Sequence, residues 1–181
     1  MNIIETPIEG VKIIEPKVFG DARGYFFESW NKAAFAAAGI EADFVQDNES
    51  FSTYGVLRGL HYQMPPYTQA KLVRVIEGTV LDIVVDIRKG SPTFGRHVAV
   101  ELSGENKRQL FAPRGMAHGF AVLSATATFA YKCDNIYAPT HERSIRFDDP
   151  KLGIDWQIPP ENYLLSEKDR KGVPFDEAEY L

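Results

Sequence analysis

Short β-prone segments, separated by turn residues at regular intervals, fill most of the sequence after residue 44 and constrain the fold more than any other feature. Strands at such spacing are typical of all-β sandwiches and barrels. The first two segments are expected to form a tight hairpin around Glu77-Gly78, and the next two a second pair. The segments are Lys71 to Ile76, Thr79 to Ile87, Arg96 to Leu102, Lys107 to Ala112, Gly119 to Leu123 and Thr126 to Lys132.

Helices are expected to be few and short. Ser29 can cap a helix over Asn31 to Ala38, which Gly39 would end. A second short helix is expected to begin near Ser166. No stretch resembles a linker between domains, so residues 1–181 are expected to form a single domain.

Composition narrows the possible functions. Apolar residues make up 44% and charged residues 25% of the chain, which is typical of a folded protein. The net charge of −5 argues against non-specific nucleic-acid binding, and no apolar run reaches the roughly eighteen residues that a membrane span needs. Cys133 is the only cysteine, so no internal disulfide can form and a cytoplasmic location is expected.

The segment from Gly55 to Gln63 holds the most informative histidine. If this segment is a strand, alternation places His61 and Gln63 on one face and Leu60 and Tyr62 on the other. Histidine exchanges a proton near neutral pH. The segment is therefore expected to carry a proton-transfer group into a barrel interior.

Two motifs resemble the paired motifs of cupin barrels: Gly55 followed by His61, and Pro113-x-Gly115 followed by His118. Metal-binding cupins carry a second histidine where this chain has Gln63. Two histidines are fewer strong ligands than a metal site needs. No metal site is therefore expected.

Other candidate residues have structural alternatives. His61 and His118 could be buried, hydrogen-bonded structural residues, and Lys71 a solvated strand-end lysine. Tyr131 could be a core tyrosine and Asp169 a helix-capping residue. The functional interpretation is favoured because several polar residues are expected to lie together, on elements that face one cavity. These residues are Arg58, His61, Gln63, Lys71 and His118.

Two acidic residues and one arginine-containing segment are also open to either interpretation. Asp82 and Asp86 lie on one face of a predicted strand, where either could pair with a cavity histidine. The segment from Gly20 to Glu28 combines Arg23 with aromatic residues. It could be a hairpin that sends its apolar residues to the core, or an arginine site for phosphate beside an aromatic surface for a base.

Taken together, the motifs closely resemble the dTDP-4-dehydrorhamnose 3,5-epimerase family, from about residue 3 to 170. The resemblance rests on Gly20-x-x-Arg23-Gly24-x-Phe26-x-Glu28, Gln46-Asp47-Asn48-x-Ser50, Arg58 to Gln63, Lys71 to Arg74, Gly78, Asp86 to Arg88, Ser91 to Gly95, Pro113-x-Gly115-x-Ala117-His118-Gly119-Phe120, Tyr131-x-Cys133 and Ser166-x-Lys168-Asp169.

The resemblance implies a cupin-type double-stranded β-helix, or jelly roll, that is free of metal and cofactor and forms a homodimer. It implies a dTDP-4-keto-6-deoxy sugar as substrate, His61 as base held by Asp169, Tyr131 as acid, and Lys71 near the C4 oxygen. The remaining substrate-binding positions implied by the family are Arg23, Glu28, Gln46, Asp47, Asn48, Arg58, His118, Glu142 and Lys168, with Tyr137 stacking on thymine.

Two other functions stay open on the sequence. One is a mono-epimerase or ketoisomerase acting on a related keto sugar, and the other is a non-catalytic carbohydrate-binding cupin.

Overall fold

The computed structural model describes residues 1–180, which form thirteen strands and a few short helices. The strands are β1 (Asn2–Glu5), β2 (Lys12–Glu15), β3 (Phe19–Asp21), β4 (Gly24–Phe26), β5 (Gln46–Thr53), β6 (Leu57–Gln63), β7 (Lys71–Glu77), β8 (Thr79–Asp86), β9 (His97–Ser103), β10 (Gln109–Ala112), β11 (Met116–Val122), β12 (Thr126–Cys133) and β13 (Glu142–Ser144). The α-helices are α1 (Lys32–Ala37) and α2 (Glu167–Arg170), and 3-10 turns cover Pro139–His141, Pro160–Asn162 and Phe175–Glu177.

Two antiparallel sheets form the body of the fold. One has six strands in the order β1-β2-β10-β7-β12-β5, and the other has five in the order β13-β6-β11-β8-β9. From β5 to β8 and again from β9 to β13, each strand lies in the sheet opposite to that of its predecessor. This alternation is that of a jelly roll, so the predicted cupin-type fold is confirmed. Strands β3 and β4 form a separate two-stranded hairpin.

The predicted hairpin between β7 and β8 is wrong, because these strands lie in different sheets. β7 pairs with β10 and β12, whereas β8 pairs with β9 and β11. Gly78, with φ of +83°, makes the corner, and a Cβ there would lie 2.1 Å from the carbonyl oxygen of Thr126. The predicted pairing across Ser103 to Asn106 is wrong for the same reason: β9 and β10 also lie in different sheets. A short glycine turn can serve a hairpin or a corner between sheets equally well.

Three apolar clusters hold the layers together. The first lies between the sheets and includes Val73, Val84 and Phe129. The second covers the outer face of the five-stranded sheet with C-terminal residues such as Trp156, and the third packs α1 on the six-stranded sheet. The five-stranded sheet is therefore buried on both faces, which explains why β8 is almost continuously apolar.

Both predicted helices are present, with one change of cap. Helix α1 begins after Asn31, whose side-chain oxygen accepts a hydrogen bond of 3.1 Å from the backbone N–H of Ala34. Asn31, rather than the predicted Ser29, is therefore the capping residue. Helix α2 begins after Ser166, as expected, and Ser166 Oγ accepts from the backbone N–H of Asp169. No helix within residues 1–180 is long and apolar enough to cross a membrane.

Strands β6 and β11 approach each other closely at Gly59. The register shifts there, between the pairs of His118 and Phe120, and Gly59 has φ of +130°. A Cβ at Gly59 would lie 2.5 Å from the Cα atom of Gly119. The contact is between two backbones, so no flexible side chain can move aside to relieve it.

We expect Gly59→Ala to lower the free energy of unfolding by about 3 kcal/mol or more, since the clash adds to the strain of positive φ. Gly90→Ala is the matched control, because Gly90 has φ of +90° with no atom within 4 Å of a built Cβ. That control isolates the strain, and about 1 kcal/mol is expected. Urea denaturation followed by fluorescence measures both, and equal losses would contradict the clash.

Candidate active site

A cavity of about 430 Å³ opens between the two sheets. Strands β5, β7 and β12 of the six-stranded sheet form one wall, and β6 and β11 of the five-stranded sheet form the other. Helix α2 and the loop before β13 complete the rim. Eleven of the predicted site residues line this cavity: Gln46, Asn48, Arg58, His61, Lys71, His118, Tyr131, Tyr137, Glu142, Lys168 and Asp169.

Three predicted site residues are not brought to the cavity within one chain. Arg23 lies on the β3–β4 hairpin, with a side chain that is 90% exposed and paired with Asp21. Glu28 accepts a hydrogen bond from Asn31. Asp47 points away from the cavity, because alternation along β5 turns its two neighbours inward, and it pairs with Lys132 at the surface.

His61 and Asp169 form a close pair on the wall made by the five-stranded sheet. His61 Nε2 lies 2.8 Å from Asp169 Oδ1, with the ring turned away from the line of a straight hydrogen bond. Asp169 also accepts from the backbone N–H of Gly59 at 3.1 Å and from Ser166 Oγ. Asp169 is thus the third residue of helix α2, where its carboxylate binds the capping Ser166, and it also contacts the histidine, so a structural role and a role through His61 do not exclude each other.

The two partners of this pair have opposite charge preferences. Burial by itself would raise the pKa of Asp169, but the donors around the carboxylate outweigh it and hold the pKa at about 2. Burial lowers the pKa of His61, and Asp169 only partly offsets this effect. At neutral pH the histidine is therefore neutral and able to accept a proton, and the aspartate is ionised.

Lys71 and Tyr131 lie on the opposite wall. The Lys71 ammonium is 5.9 Å from the centre of the Tyr131 ring and forms no ion pair within residues 1–180. Burial lowers the pKa of Lys71 and raises the pKa of Tyr131. Tyr131 is therefore held as a neutral phenol beside the Lys71 amine.

His118 lies beside His61 on the neighbouring strand β11 and has its own acidic partner. Its Nε2 is 2.9 Å from Oδ2 of Asp82, whose side chain is fully buried. Burial raises the pKa of Asp82, and His118 opposes this effect. Of the two acidic residues that the sequence left open, Asp82 is the one paired with a cavity histidine. Asp86 instead accepts hydrogen bonds from Arg88, Ser91 and Thr93.

Glu142 joins the two sides of the cavity mouth. Its carboxylate accepts a hydrogen bond of 2.9 Å from the Tyr137 hydroxyl and pairs with the Lys168 ammonium. Although burial works in the other direction, these donors lower the pKa of Glu142. The Tyr137 side chain is itself largely exposed, and its backbone N–H donates to Gln46. An aromatic ring and a cation are therefore held together at the entrance.

Gln63 lies at the position where metal-binding cupins carry a histidine, and its side-chain amide hydrogen-bonds to backbone groups. Its amide donates to the carbonyl oxygens of Tyr67 and Ile136 and accepts from the N–H of Ala138. In the part of the chain that the structure describes, no three His, Cys, Asp or Glu side chains are grouped to hold a metal ion. Gln63 thus anchors two loops at the rim.

Sequence reasoning did not single out Ser166 as a residue of the site, although it lines the cavity and donates to Asp169. Its helix-capping position was the available signal. Cys133 also lines the cavity, and burial raises the pKa of its thiol to about 11, so the sulfur is a neutral part of the wall.

The arrangement suits proton transfer on both sides of a bound molecule. A neutral histidine with a carboxylate partner lies on one wall, and a phenol and an ammonium lie on the other. The walls belong to different sheets, so the two proton-transfer groups face each other across the cavity.

Comparison with known proteins identifies the family of this chain. The family model described as dTDP-4-dehydrorhamnose 3,5-epimerase matches residues 5–177. A curated dTDP-4-dehydrorhamnose 3,5-epimerase from Shigella flexneri is 56% identical over 182 aligned positions, covering 100% of this chain and 99% of that protein.

Solved structures share the fold and part of the sequence. A dTDP-6-deoxy-D-glucose-3,5-epimerase from Legionella pneumophila in complex with dTDP-4-keto-L-rhamnose has a TM-score of 0.95 at 54% identity, covering 98% of this chain and 94% of that one. A 3'-monoepimerase from Streptomyces bikiniensis in complex with dTDP-quinovose has a TM-score of 0.86 at 37% identity, covering 93% and 85%. The chain belongs to the dTDP-4-dehydrorhamnose 3,5-epimerase family.

Proposed function

We propose that this protein converts dTDP-4-dehydro-6-deoxy-D-glucose to dTDP-4-dehydro-L-rhamnose by inverting C3 and C5, a step of dTDP-L-rhamnose biosynthesis. The observation that carries the proposal is the placement of His61 and Tyr131 on opposite walls of one cavity. Inversion at carbon requires a proton to leave from one face and another to arrive on the opposite face. One group on each wall meets this requirement.

His61 is the proposed base. The protons at C3 and C5 are both α to the C4 ketone, so loss of either one gives an enolate. A neutral imidazole near pH 7 is a suitable acceptor, and general-base catalysis contributes about 10²–10⁴-fold. Asp169, ionised and 2.8 Å from the ring, would stabilise the imidazolium and hold its orientation.

Lys71 is the proposed stabiliser of the enolate. The negative charge of the enolate develops on the C4 oxygen, and Lys71 supplies a cation without a competing carboxylate in ion-pair contact. Buried donors of this kind contribute roughly 10²–10³-fold in rate. Tyr131, held neutral by burial, is the proposed acid that returns the proton from the opposite face.

The remaining cavity residues are proposed to bind the nucleotide diphosphate. The chain as a whole has a net charge of −5, but Arg58 and Lys168 supply local positive charge for the diphosphate. The exposed ring of Tyr137 can stack on thymine. The other proposed contacts are Gln46, Asn48, His118 and Glu142.

We propose that the protein forms a homodimer in which each chain helps to complete the site of its partner. The residues proposed to do so lie outside the cavity of their own chain: Arg23, Glu28 and Asp47. The β3–β4 hairpin that carries Arg23 also exposes Phe19, Tyr25 and Phe26. An exposed apolar patch of this kind is typical of a protein interface. Light scattering at assay concentration is expected to give twice the mass of the chain, and a fully active monomer would contradict the proposal.

The protein is further proposed to act in the cytoplasm without nucleic-acid or membrane partners.

Proton NMR of the 4-keto sugar nucleotide with the protein in D₂O tests the proposed function. We expect deuterium at both C3 and C5, and inversion at both centres. Inversion at one centre would indicate a mono-epimerase, a function that the similarity to the Streptomyces bikiniensis enzyme makes worth resolving. A displaced carbonyl would indicate a ketoisomerase, and binding without exchange a carbohydrate-binding cupin.

Replacing Asp169 by alanine is expected to lower kcat by roughly 10–100-fold, the usual cost of losing the partner of a functional histidine. KM should change little, because Asp169 acts through His61. Loss of its role at the start of helix α2 alone would cost about 1 kcal/mol of stability and little rate. Steady-state kinetics with a thermal melt separates these outcomes, and a normal kcat with a lowered Tm would favour a purely capping role.

A further inference from the structure

Two buried side-chain polar atoms within residues 1–180 lack a hydrogen bond of good geometry: Ser144 Oγ, and His61 Nε2, which has the Asp169 carboxylate 2.8 Å away but off the line of a straight bond. Buried polar groups in native proteins are almost always paired, because an unpaired group loses its hydration without compensation. The two exceptions lie on facing residues of neighbouring strands. Ser144 had no role in the site described above.

The register of β13 and β6 places Ser144 directly opposite His61. The adjacent pair, Leu60 and Ile145, exchanges both backbone hydrogen bonds, at 3.2 and 3.0 Å. In an antiparallel ladder such pairs alternate with pairs that make no backbone hydrogen bond and whose side chains are closer. His61 and Ser144 are a pair of this closer type, with Cβ atoms expected about 4.5–5.5 Å apart on the same face of the sheet.

Strand β13 is held on both edges around Ser144. Strand β13 pairs with β6 on one edge, and the Ser144 carbonyl accepts a 3.0 Å hydrogen bond from Val173, just beyond helix α2. The serine is therefore fixed between the strand that carries the base and the segment that follows Asp169. Only rotation about its Cα–Cβ bond is needed to redirect the hydroxyl.

We propose that Ser144 is a positioning residue for His61, and that its hydroxyl forms with the protonated ring the hydrogen bond that the hydroxyl lacks in this structure. This inference rests on the proposed role of His61 as base. When the base takes a proton from the substrate, the imidazolium has two N–H donors. The N–H on Nε2 is shared by Asp169 and Ser144, and the other ring nitrogen carries the transferred proton.

The charge on the ring is set by groups from every element around it. The neighbours are Asp169 and Lys168 on α2, Lys71 on β7, Glu142 on β13 and His118 on β11. Ser144 adds a neutral acceptor to this set, so it favours the imidazolium without altering the net charge of the site. Its loss should therefore make the ring harder to protonate.

The test is Ser144→Ala, for which structure and function should respond in opposite directions. Removing an unpaired buried hydroxyl leaves Tm unchanged or raises it. We expect kcat to fall roughly tenfold with KM unchanged, the lower end of the effect of a partner on a functional histidine. We also expect the NMR-measured pKa of His61 to fall by about one pH unit, since hydrogen bonds to charged groups are the stronger ones.

Two further variants serve as controls. Ser144→Thr retains a hydroxyl at the position and should restore most of kcat and of the His61 pKa. Arg143→Ala alters the neighbouring residue of β13, whose side chain pairs with Glu179 on the other face, and should leave kcat unchanged. The His61 resonance is identified among the four histidines by its loss in His61→Ala.

An unchanged kcat and an unchanged His61 pKa in Ser144→Ala would overturn the proposal. Equal losses of kcat in Ser144→Ala and Arg143→Ala would also overturn it, because they would reflect a disturbed strand. If the wild-type protein does not epimerise the sugar nucleotide, the proposed function fails. The His61 pKa in Ser144→Ala still tests the contact in that case, because it changes only if Ser144 contacts the ring.

Discussion

His61→Ala is expected to abolish epimerisation, with a loss of at least about 10³-fold in kcat, because the other histidine on this wall of the cavity, His118, is already paired with Asp82. Solvent deuterium should enter neither C3 nor C5, since both protons leave from the face that His61 approaches. The measurement is NMR of the sugar nucleotide in D₂O at protein concentrations that allow a single turnover to be seen.

The fold should survive this substitution. The His61 side chain is partly exposed to the cavity, so its removal leaves no closed void in the core. Its strand is anchored by Leu60 and Tyr62, which are buried on the opposite face. Circular dichroism and binding of dTDP provide the control, because the nucleotide should still bind. Persistent deuterium exchange at the wild-type rate would show that another group is the base.

Tyr131→Phe is expected to separate exchange from inversion. The substitution keeps the ring and its packing beside Phe129 but removes the hydroxyl that would return the proton. His61, Asp169 and Lys71 remain, so the enolate should still form and be reprotonated from its original face. We expect deuterium to enter the substrate at a rate near that of the wild type, while the inverted product falls by roughly 10²-fold or more.

The two possible failures of this prediction have different meanings. Epimerisation near the wild-type rate would make Tyr131 a packing residue. If exchange and inversion fall together by the same large factor, the hydroxyl is needed to form the enolate, and the assignment of one proton-transfer group to each wall is wrong. Tyr163→Phe is a matched control, because that tyrosine packs on Phe147 away from the cavity.

The cavity face of strand β6 could be predicted from the sequence in part. Alternation correctly placed Leu60 and Tyr62 in the core and His61 toward the cavity, because period-two geometry is local to a strand. Arg58 was also expected at this cavity, although alternation alone would turn a residue three positions before His61 to the opposite face. The register shift at Gly59 places both there, and it arises from contact with β11, which strand periodicity cannot indicate.

The partners of the two cavity histidines could likewise be predicted from the sequence only in part. Ser166 was correctly expected to start the short helix α2, because capping depends on residues adjacent in the chain. Asp169 was assigned to His61 only through family resemblance, since no local pattern connects residues so distant in the chain. Asp82 was one of two equal candidates, and burial beside His118 selected it.

By itself, the sequence determined the strands from β6 to β12, where α2 begins, and that this chain belongs with sugar-nucleotide epimerases, since these depend on local periodicity and on residue identity. Only the tertiary structure decided that β7 and β8 part at Gly78 into opposite sheets, and therefore that Lys71 faces His61 across a cavity. It also decided that Arg23 and Glu28 lie outside that cavity. The physical reason is that strand pairing and wall placement follow from burial of both faces of the five-stranded sheet, which depends on residues from the whole chain at once.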